Sequence, residues 1–263
     1  MRYVRLWYAC FRNCLGREME YRANFLSAWV IDIIWYALNL LFFDAIFLHV
    51  EGIADWKRYE VYVFMGAVYI LDALATGVIF ENAIRLPRAV NKGELDFILL
   101  KPVNPQFLAS VRYIKLSSLS NVIFGIPVLI YGLAMLGITP SVADVALFIV
   151  MLINGLIMTY ATCFMFQTLS FWLLASQGFE YGYYQLMYNF IMKPDSIYRG
   201  AVRFVLTYIL PATVIASFPA RALMDKDVER SMIVWSFAGA ALLLWLSTRL
   251  FKLGLRRYES ASS

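Results

Sequence analysis

The sequence predicts an all-α membrane protein with six transmembrane helices, and two observations carry this prediction. Of the 263 residues, 62% are hydrophobic and only 16% are charged, whereas a soluble chain of this length carries more charge. Six apolar runs are also each long enough to cross a hydrocarbon core of about 30 Å, which needs about 20 helical residues. We therefore expect residues 1–263 to form one transmembrane domain.

The apolar runs follow one another along the chain with short polar connections. They cover residues 25–48, 59–80, 116–136, 143–174, 197–218 and 232–251. Between the fourth and fifth runs, residues 177–192 are aromatic and partly polar. Their hydropathy does not place them inside or outside a span.

The basic residues indicate the orientation of the spans. If the six runs alternate in direction, 18 of the 23 Lys and Arg residues lie on the side that holds both termini, among them Lys193, Arg199 and Arg203. The loops of membrane proteins that carry the excess of Lys and Arg are cytoplasmic. We therefore expect a multi-pass membrane protein with both termini in the cytoplasm.

Several function classes lack the residues that they need. His49 is the only histidine and lies at the end of the first run, so multi-histidine metal sites are excluded and a histidine-based triad has no candidate other than His49. No G-x-x-x-x-G-K-[ST] phosphate loop occurs, so this chain does not hydrolyse ATP by that route. The net charge of +5 lies beside the spans, which argues against nucleic acid. We expect neither an enzyme nor a bound metal or cofactor in this chain.

The three cysteines are not expected to form disulfides. Cys10 and Cys14 lie in the predicted cytoplasmic N-terminal segment, and Cys163 lies inside the fourth run. Thiols in the cytoplasm stay reduced.

The N-terminal segment, residues 1–22, has the pattern of an amphipathic helix. Its apolar face carries Val4, Trp7, Tyr8, Phe11, Leu15 and Met19. Arginines occupy the opposite face, as is typical of a helix that lies in the membrane interface. This helix has two candidate roles, lipid anchoring and docking onto a cytoplasmic subunit. One helix can play both roles.

Polar residues inside the runs are candidates for a substrate path. Asp32 and Asn39 lie in the first run and share a helical face, and Asp72 lies in the second run. A carboxylate in hydrocarbon costs about 2.5–3.5 kcal/mol, so such groups face the protein interior, a partner or water. The alternative is a structural contact between helices.

Two segments outside the regular spans are distinctive. Residues 85–105 are punctuated by Pro87, Gly93 and Pro102, which predicts short helices that lie across the membrane face and press into a groove on another protein. Pro211 and Pro219 interrupt the fifth run and predict a kinked or re-entrant outer segment over residues 211–225. This segment has two interpretations. It is either an ordinary proline kink or an outer gate formed with Phe218.

Four short sequences carry a resemblance to a known family. They are G-E-L-D-F-I-L-L-K-P-V-N-P at 93–105, K-P-D-S-I-Y at 193–198, I-L-P-A with F-P-A-R-A-L within 209–223, and G-L-R-R-Y-E-S-A-S at 254–262. In this order among six spans, they resemble the six-span permeases of the ATP-binding-cassette type-2 exporter family. The resemblance covers essentially the whole chain.

The resemblance implies an exporter half that lacks its own ATPase. Such permeases pair with a second copy or a paralogue above two cytoplasmic ATPase subunits, which hold ATP and Mg²⁺. The coupling helix of the family matches residues 88–101, the N-terminal interfacial helix matches 1–22, and the outer segment between spans five and six matches 211–225. The residues expected to couple the ATPase are Arg88, Asn91, Lys92, Gly93, Glu94, Leu95, Asp96, Phe97, Leu99 and Lys101.

Within that loop, the residues are expected to play different parts. Glu94 and Asp96 would engage basic groups of the ATPase, and Leu95, Phe97 and Leu99 would enter its apolar groove. A small amphiphilic compound or drug is the first expectation for the substrate, and a lipid or peptide is the second. A secondary transporter or channel, and a membrane scaffold of an ATPase-driven envelope machine, remain alternatives.

Overall fold

The computed structural model of the protein describes residues 2–173, 177–226 and 230–258. Within these ranges the chain is helical except for one short hairpin and the connecting segments. The α-helices are α1 Arg2–Glu20, α2 Arg22–Phe47, α3 Arg58–Leu74, α4 Glu81–Ala83, α5 Leu86–Asn91, α6 Asp96–Leu99, α7 Pro105–Val111, α8 Leu116–Ser120, α9 Val122–Leu136, α10 Val142–Thr168, α11 Gln177–Ile191, α12 Gly200–Phe204, α13 Ala212–Leu223 and α14 Arg230–Arg257.

Other elements connect these helices. The antiparallel hairpin pairs β1 Gly52–Ile53 with β2 Trp56–Lys57. The 3-10 turns are Leu169–Phe171 and Asp195–Ile197, and the π-helical stretches are Ala75–Phe80 and Val205–Ile209.

Within the described residues, five helical stretches are long and apolar enough to cross a membrane. They are Arg22–Phe47, Arg58–Asn91, Leu116–Leu136, Val142–Phe171 and Ser231–Arg257. They coincide with the predicted spans one to four and six, within a few residues except that the second continues beyond residue 80. The prediction of an all-α membrane fold is confirmed.

The predicted fifth span, residues 197–218, is not one helix. Gly200–Ile209 and Ala212–Leu223 are bent by 84° at a break that contains Pro211. Proline has no backbone N–H and its ring clashes with the preceding turn, so a continuous helix is unfavourable there. The kinked or re-entrant segment expected around Pro211 therefore takes the form of a sharp break.

The contacts around α11 show that this part of the chain joins the two ends of the bundle. At the end of the bundle that carries α1, here called the α1 end, the Phe171 ring lies 5.9 Å from the Phe251 ring. At the opposite end, called the hairpin end, Asp195 and Asp55 both contact Arg221. The 15 residues of α11 join the two ends, over about 22 Å at 1.5 Å per residue.

This crossing corrects one part of the predicted orientation. Lys193 and Arg199 flank Asp195, which lies at the hairpin end, so these residues and Arg203 do not belong to the basic side. The α1 end keeps 15 of the 23 Lys and Arg residues of the chain. The excess of basic residues therefore still lies at the α1 end.

The core forms around α3, which packs closely against α9. A Cβ atom added at Gly66 would lie 2.5 Å from the backbone nitrogen of Leu129, and one at Gly132 would lie 2.8 Å from that of Val63. Small residues allow helix backbones to approach closely inside membranes. By contrast, only Tyr36 and Phe43 of α2 are buried. The helix α2 therefore lies at the edge of the bundle.

Candidate functional site

The loop between α4 and α8 is anchored by a hydrophobic cluster at the α1 end. We call this group the inner cluster; it contains Leu86, Leu95, Ile98, Leu108, Phe164 and Phe251. Gly93 has a φ of +73°, a conformation that glycine adopts without the penalty of a Cβ atom, and it turns the chain from α5 to α6. The Leu95 amide then donates a hydrogen bond to the Ala89 carbonyl at 3.1 Å. The loop is therefore built on α10 and α14.

The apolar residues of this loop divide between the interior and the surface. Phe97 and Leu100 are 68% and 80% exposed, and Leu99 is 37% exposed. Leu95 is fully buried in the inner cluster. The prediction that Leu95 enters a groove of a partner is therefore wrong in this structure, because its side chain already packs inside the chain.

The charged residues of the loop lie next to the exposed apolar residues in the sequence. Lys92, Glu94 and Lys101 are exposed, whereas Asp96 is half-buried. Arg88 and Asn91 are exposed at the end of α5 and also make contacts within the chain. Burial raises the pKa of Tyr258, and the nearby Asp96 carboxylate raises it further, so the end of α14 meets the loop here.

The helix α1 is tied to the segment that follows the loop. The Glu18 carboxylate accepts hydrogen bonds from the amides of Leu116 and Ser117 at 2.9 and 3.0 Å, and so caps the N-terminus of α8. The Cys14 thiol lies 3.7 Å from the Arg112 carbonyl, and its sulfur accepts from the Ile114 amide at 3.3 Å. Through these contacts α1, the loop and α8 form one unit.

Three arginines converge on the Tyr113 ring beside this unit. The guanidinium carbons of Arg85, Arg112 and Arg17 lie 4.3, 5.3 and 5.9 Å from the ring centroid. The Asn82 side chain accepts from the Tyr113 amide at 2.8 Å and donates to its carbonyl at 2.6 Å. The α1 end therefore presents a rigid basic surface.

A second candidate site lies within the membrane-spanning part, between α2, α3, α8 and α11. It is a cavity of about 470 Å³ whose wall includes Asp32 and Asp72. Tyr36 donates a hydrogen bond to Asp72 at 2.9 Å, and Asn121 donates one to Asp32 at 2.6 Å. The structure thus brings together two of the three residues predicted to line a substrate path.

The third residue of that prediction does not join them. The Asn39 amide donates to the Trp35 carbonyl of its own helix at 2.8 Å, and Asn39 does not line the cavity. The Asn39 side chain thus has its hydrogen-bond acceptor one turn away on α2. The prediction that Asn39 lines a substrate path therefore lacks structural support.

The hairpin end is held by an ionic network above α13. Arg221 lies 2.9 Å from Asp195 and 2.8 Å from Asp55, and Lys226 lies 2.8 Å from Glu60. Burial raises the pKa of the Asp55 carboxyl, but the facing Ser196 hydroxyl and the charges of Arg221 and Lys226 outweigh burial and lower the pKa overall. The network therefore joins the hairpin to α13.

The residues predicted to form an outer gate lie beneath this network. Pro211 occupies the break before α13, and Phe218 and Pro219 are buried in α13. Every residue of α13 except Arg221 is buried. The Gly155 position at the middle of α10 faces the Ile215 carbonyl, so α13 penetrates the bundle between α3 and α10.

Sequence reasoning missed several residues of these sites. Tyr184 and Tyr188 line the cavity from α11, the segment whose hydropathy did not place it. No sequence pattern indicated that Glu18 caps α8, because Glu18 accepts from backbone amides about a hundred residues away. The described residues contain no group of three or more His, Cys, Asp or Glu side chains placed to hold a metal ion.

Comparison with known proteins identifies the family of the chain. No curated protein sequence matches it. A protein-family model described as "ABC-2 family transporter protein" matches residues 33–262, a range that contains the five membrane-length helices except the start of α2. The chain therefore belongs to the ABC-2 family of transporter proteins.

Proposed function

We propose that the chain is the permease subunit of an ATP-driven exporter and works with separate cytoplasmic ATPase subunits. Its family supports a membrane transport subunit without an ATPase domain. The observation that carries the proposal is the exposed pair Phe97 and Leu100, which lies on the loop anchored by the inner cluster and has Glu94, Asp96 and Lys101 beside it in the sequence. Aromatic anchors with charged rims are typical of protein interfaces.

The connections of the loop suggest how ATPase movement would reach the membrane. The helical stretch Arg58–Asn91 is continuous and contains the buried core helix α3. A force on α5 or α6 therefore acts on α3 directly and on α1 and α8 through Glu18 and Cys14. ATP and Mg²⁺ would be bound by two ATPase subunits beneath the α1 end, where Arg88, Glu94 and Lys101 would contribute to the contact.

The assembly would contain two permeases in a bacterial inner membrane. The helix α2 leaves most of its surface uncovered, and the cavity beside it has exposed apolar side chains of α2 at its rim. A second copy or a paralogue would complete a translocation path. The excess of basic residues at the α1 end supports a cytoplasmic location for both termini.

At the hairpin end, α13 would act as the outer gate. Pro211 breaks the chain before α13, and Phe218 and Pro219 lie in the buried part of α13. Opening would have to move α13 against the Arg221 contacts to Asp195 and Asp55. A gate of this type closes the path until the ATPase acts.

The experiment that tests the proposal is affinity purification of the tagged chain in mild detergent, with mass spectrometry and an ATPase assay on the eluate. We expect an ATPase to co-purify. The double variant Phe97→Ala and Leu100→Ala should weaken its binding at least tenfold, because an interface anchor contributes about 2 kcal/mol or more.

The matched control is Leu48→Ala with Val142→Ala. These apolar residues are 77% and 88% exposed at the hairpin end, so their loss should leave ATPase binding unchanged. A chain that transports without any ATPase would instead be a secondary transporter. Nucleotide turnover without movement of any solute would indicate a membrane scaffold.

A further inference from the structure

The cavity between α2, α3, α8 and α11 carries two carboxylates, Asp32 from α2 and Asp72 from α3. Among the described residues, Asp32 and Asp72 form no salt bridge, and their hydrogen bonds come from the neutral groups of Asn121, Tyr36 and Thr76. Ionised groups in the membrane are costly and mark functional sites by default. Two such groups on one cavity wall indicate a ligand that brings positive charge.

The remaining polar groups of the cavity do not balance this charge. Lys115 lines the same cavity but makes no ion pair with either carboxylate among the described residues. The side-chain nitrogen of Asn121 donates a hydrogen bond to Asp32. The side-chain oxygen of Asn121 has no hydrogen-bond donor in the described structure. With two acidic side chains and one basic side chain, the cavity wall carries more negative than positive charge, and Lys115 acts on Asp72 only from beyond ion-pair distance.

Aromatic side chains supply the rest of the wall. Tyr36, Tyr184, Tyr188 and Trp35 line the cavity. The rings of Tyr184 and Tyr188 lie 5.5 Å apart, and the Trp35 indole nitrogen donates to the Tyr188 hydroxyl. The faces of Tyr and Trp rings attract organic cations, with about 2 kcal/mol or more at desolvated sites.

The cavity is also reachable from the exposed side of α2. Its rim includes Ile31, Ile34 and Leu38, which are 64%, 53% and 53% exposed. Its volume of about 470 Å³ lies in the range of about 300–1,000 Å³ that holds small organic ligands. An amphiphile dissolved in the bilayer could therefore enter without crossing water.

From this arrangement we propose that the cavity binds lipophilic organic cations, with Asp72 and Asp32 as counter-ions and Trp35, Tyr184 and Tyr188 as aromatic walls. As a statement about the transported substrate it rests on the exporter function proposed above. As a statement about binding it stands on the cavity alone. Export would release the cation when the carboxylates and the aromatic walls separate.

The test uses two probes of nearly the same shape and opposite charge. Tetraphenylphosphonium and tetraphenylborate are titrated against the purified full-length chain in detergent, and binding is followed by tryptophan fluorescence and by equilibrium dialysis. We expect the phosphonium to bind and the borate to bind at least tenfold more weakly. Equal binding of both probes would overturn the proposal, because it would show hydrophobic partition only.

Variants assign the binding to this cavity. Asp72→Asn and Asp32→Asn should each weaken phosphonium binding at least tenfold, and Tyr188→Leu should weaken it more than Tyr188→Phe. The control is Asp44→Asn, since Asp44 lies on the same helix as Asp32 but pairs with Arg58 outside the cavity. Unchanged binding by Asp32→Asn and Tyr188→Leu, each with the melting temperature of the parent chain, would overturn the assignment even if Asp72→Asn failed to fold.

The outcome separates this proposal from the exporter function. Phosphonium binding needs no ATPase, so binding by a chain that never co-purifies with an ATPase would support the cation site and contradict the exporter. A co-purifying ATPase with no phosphonium binding would leave the exporter standing and overturn the cation site.

Discussion

The Arg221 guanidinium donates a hydrogen bond of 2.9 Å to the Asp195 carboxylate, and the two side chains are only 11% and 7% exposed. Asp195 begins the 3-10 turn after α11, and Arg221 lies near the end of α13. Arg221 also stacks 4.8 Å from the ring of Trp56, which is fully buried. One pair thus fixes both the end of α11 and the position of α13.

Removal of this arginine should strongly destabilise the hairpin end. We expect Arg221→Gln to lower the free energy of unfolding by about 3–5 kcal/mol, because it leaves the buried Asp195 carboxylate without its counter-ion. Thermal unfolding in detergent measures the change. Arg58→Gln is the control, since Arg58 and Asp44 form a more exposed pair and should change the melting temperature little. Similar losses in both variants would contradict the special role of Arg221.

The lowered pKa of Asp55 predicts how this end responds to acid. A carboxyl group whose pKa is lower in the folded protein than its usual value of about 3.9 stabilises the fold above that value, and the contribution is lost as pH falls through the folded pKa. The melting temperature of the parent chain should therefore exceed that of Asp55→Asn equally at pH 7 and pH 5. The gap should shrink below about pH 4. A gap that closes already between pH 7 and pH 5 would contradict the lowered pKa.

The close approach of α3 and α9 predicts a glycine that tolerates no side chain. Gly66→Ala should cost about 1–3 kcal/mol through overpacking, because the new Cβ atom would meet the Leu129 backbone at 2.5 Å. Gly16→Ala provides the matched control. Gly16 lies inside α1 with nothing within 4 Å of an added Cβ atom, so this change should be neutral or raise stability by up to about 1 kcal/mol. Chemical denaturation of both variants checks the difference.

The cap that Glu18 provides to α8 predicts a smaller effect. Glu18→Ala should lower stability by about 1 kcal/mol, the usual cost of a lost helix cap. It should also speed hydrogen exchange at the Leu116 and Ser117 amides, which the carboxylate now binds. Glu20→Ala, two residues away on the exposed surface, should leave that exchange unchanged. Equal exchange in the two variants would show that the cap does not protect these amides.

In the loop between α4 and α8, substitution of a buried residue and of an exposed residue should have opposite effects on stability and on partner binding. Leu95→Ala should cost about 2–5 kcal/mol because it opens a cavity in the inner cluster, whereas Phe97→Ala should leave the melting temperature unchanged. In a pull-down with the ATPase, Phe97→Ala should lose the partner. A stable Leu95→Ala variant would mean that the loop is not anchored through this side chain.

Hydropathy predicted the spans that cross the membrane as single long helices, because length and apolarity are sufficient for them. It did not predict that α11 joins the two ends of the bundle, because α11 has 15 residues and mixes Tyr with polar side chains. The apolar run around Pro211 looked like a better span. A segment buried by protein and a segment buried by lipid have the same hydropathy.

The sequence also indicated some residues of the candidate sites and missed others. Asp32 and Asp72 stood out because isolated carboxylates in apolar runs are rare, and the structure places both in one cavity wall. The burial of Leu95 was not predictable, since a four-residue helix gives no periodicity that separates its inner and outer faces. The partner of Arg221 depends on tertiary contacts between segments far apart in sequence.

The position of Cys14 has a practical consequence for chemical labelling. Cys14 and Cys163 are buried, and burial raises the pKa of the half-buried Cys10 thiol. Alkylating reagents attack the thiolate, so the native thiols should react slowly. Single cysteines introduced at exposed positions such as Glu20 or Val142 could then carry spectroscopic labels without prior replacement of the natural ones. Distances between such labels would report the movement of each end of the bundle during a transport cycle.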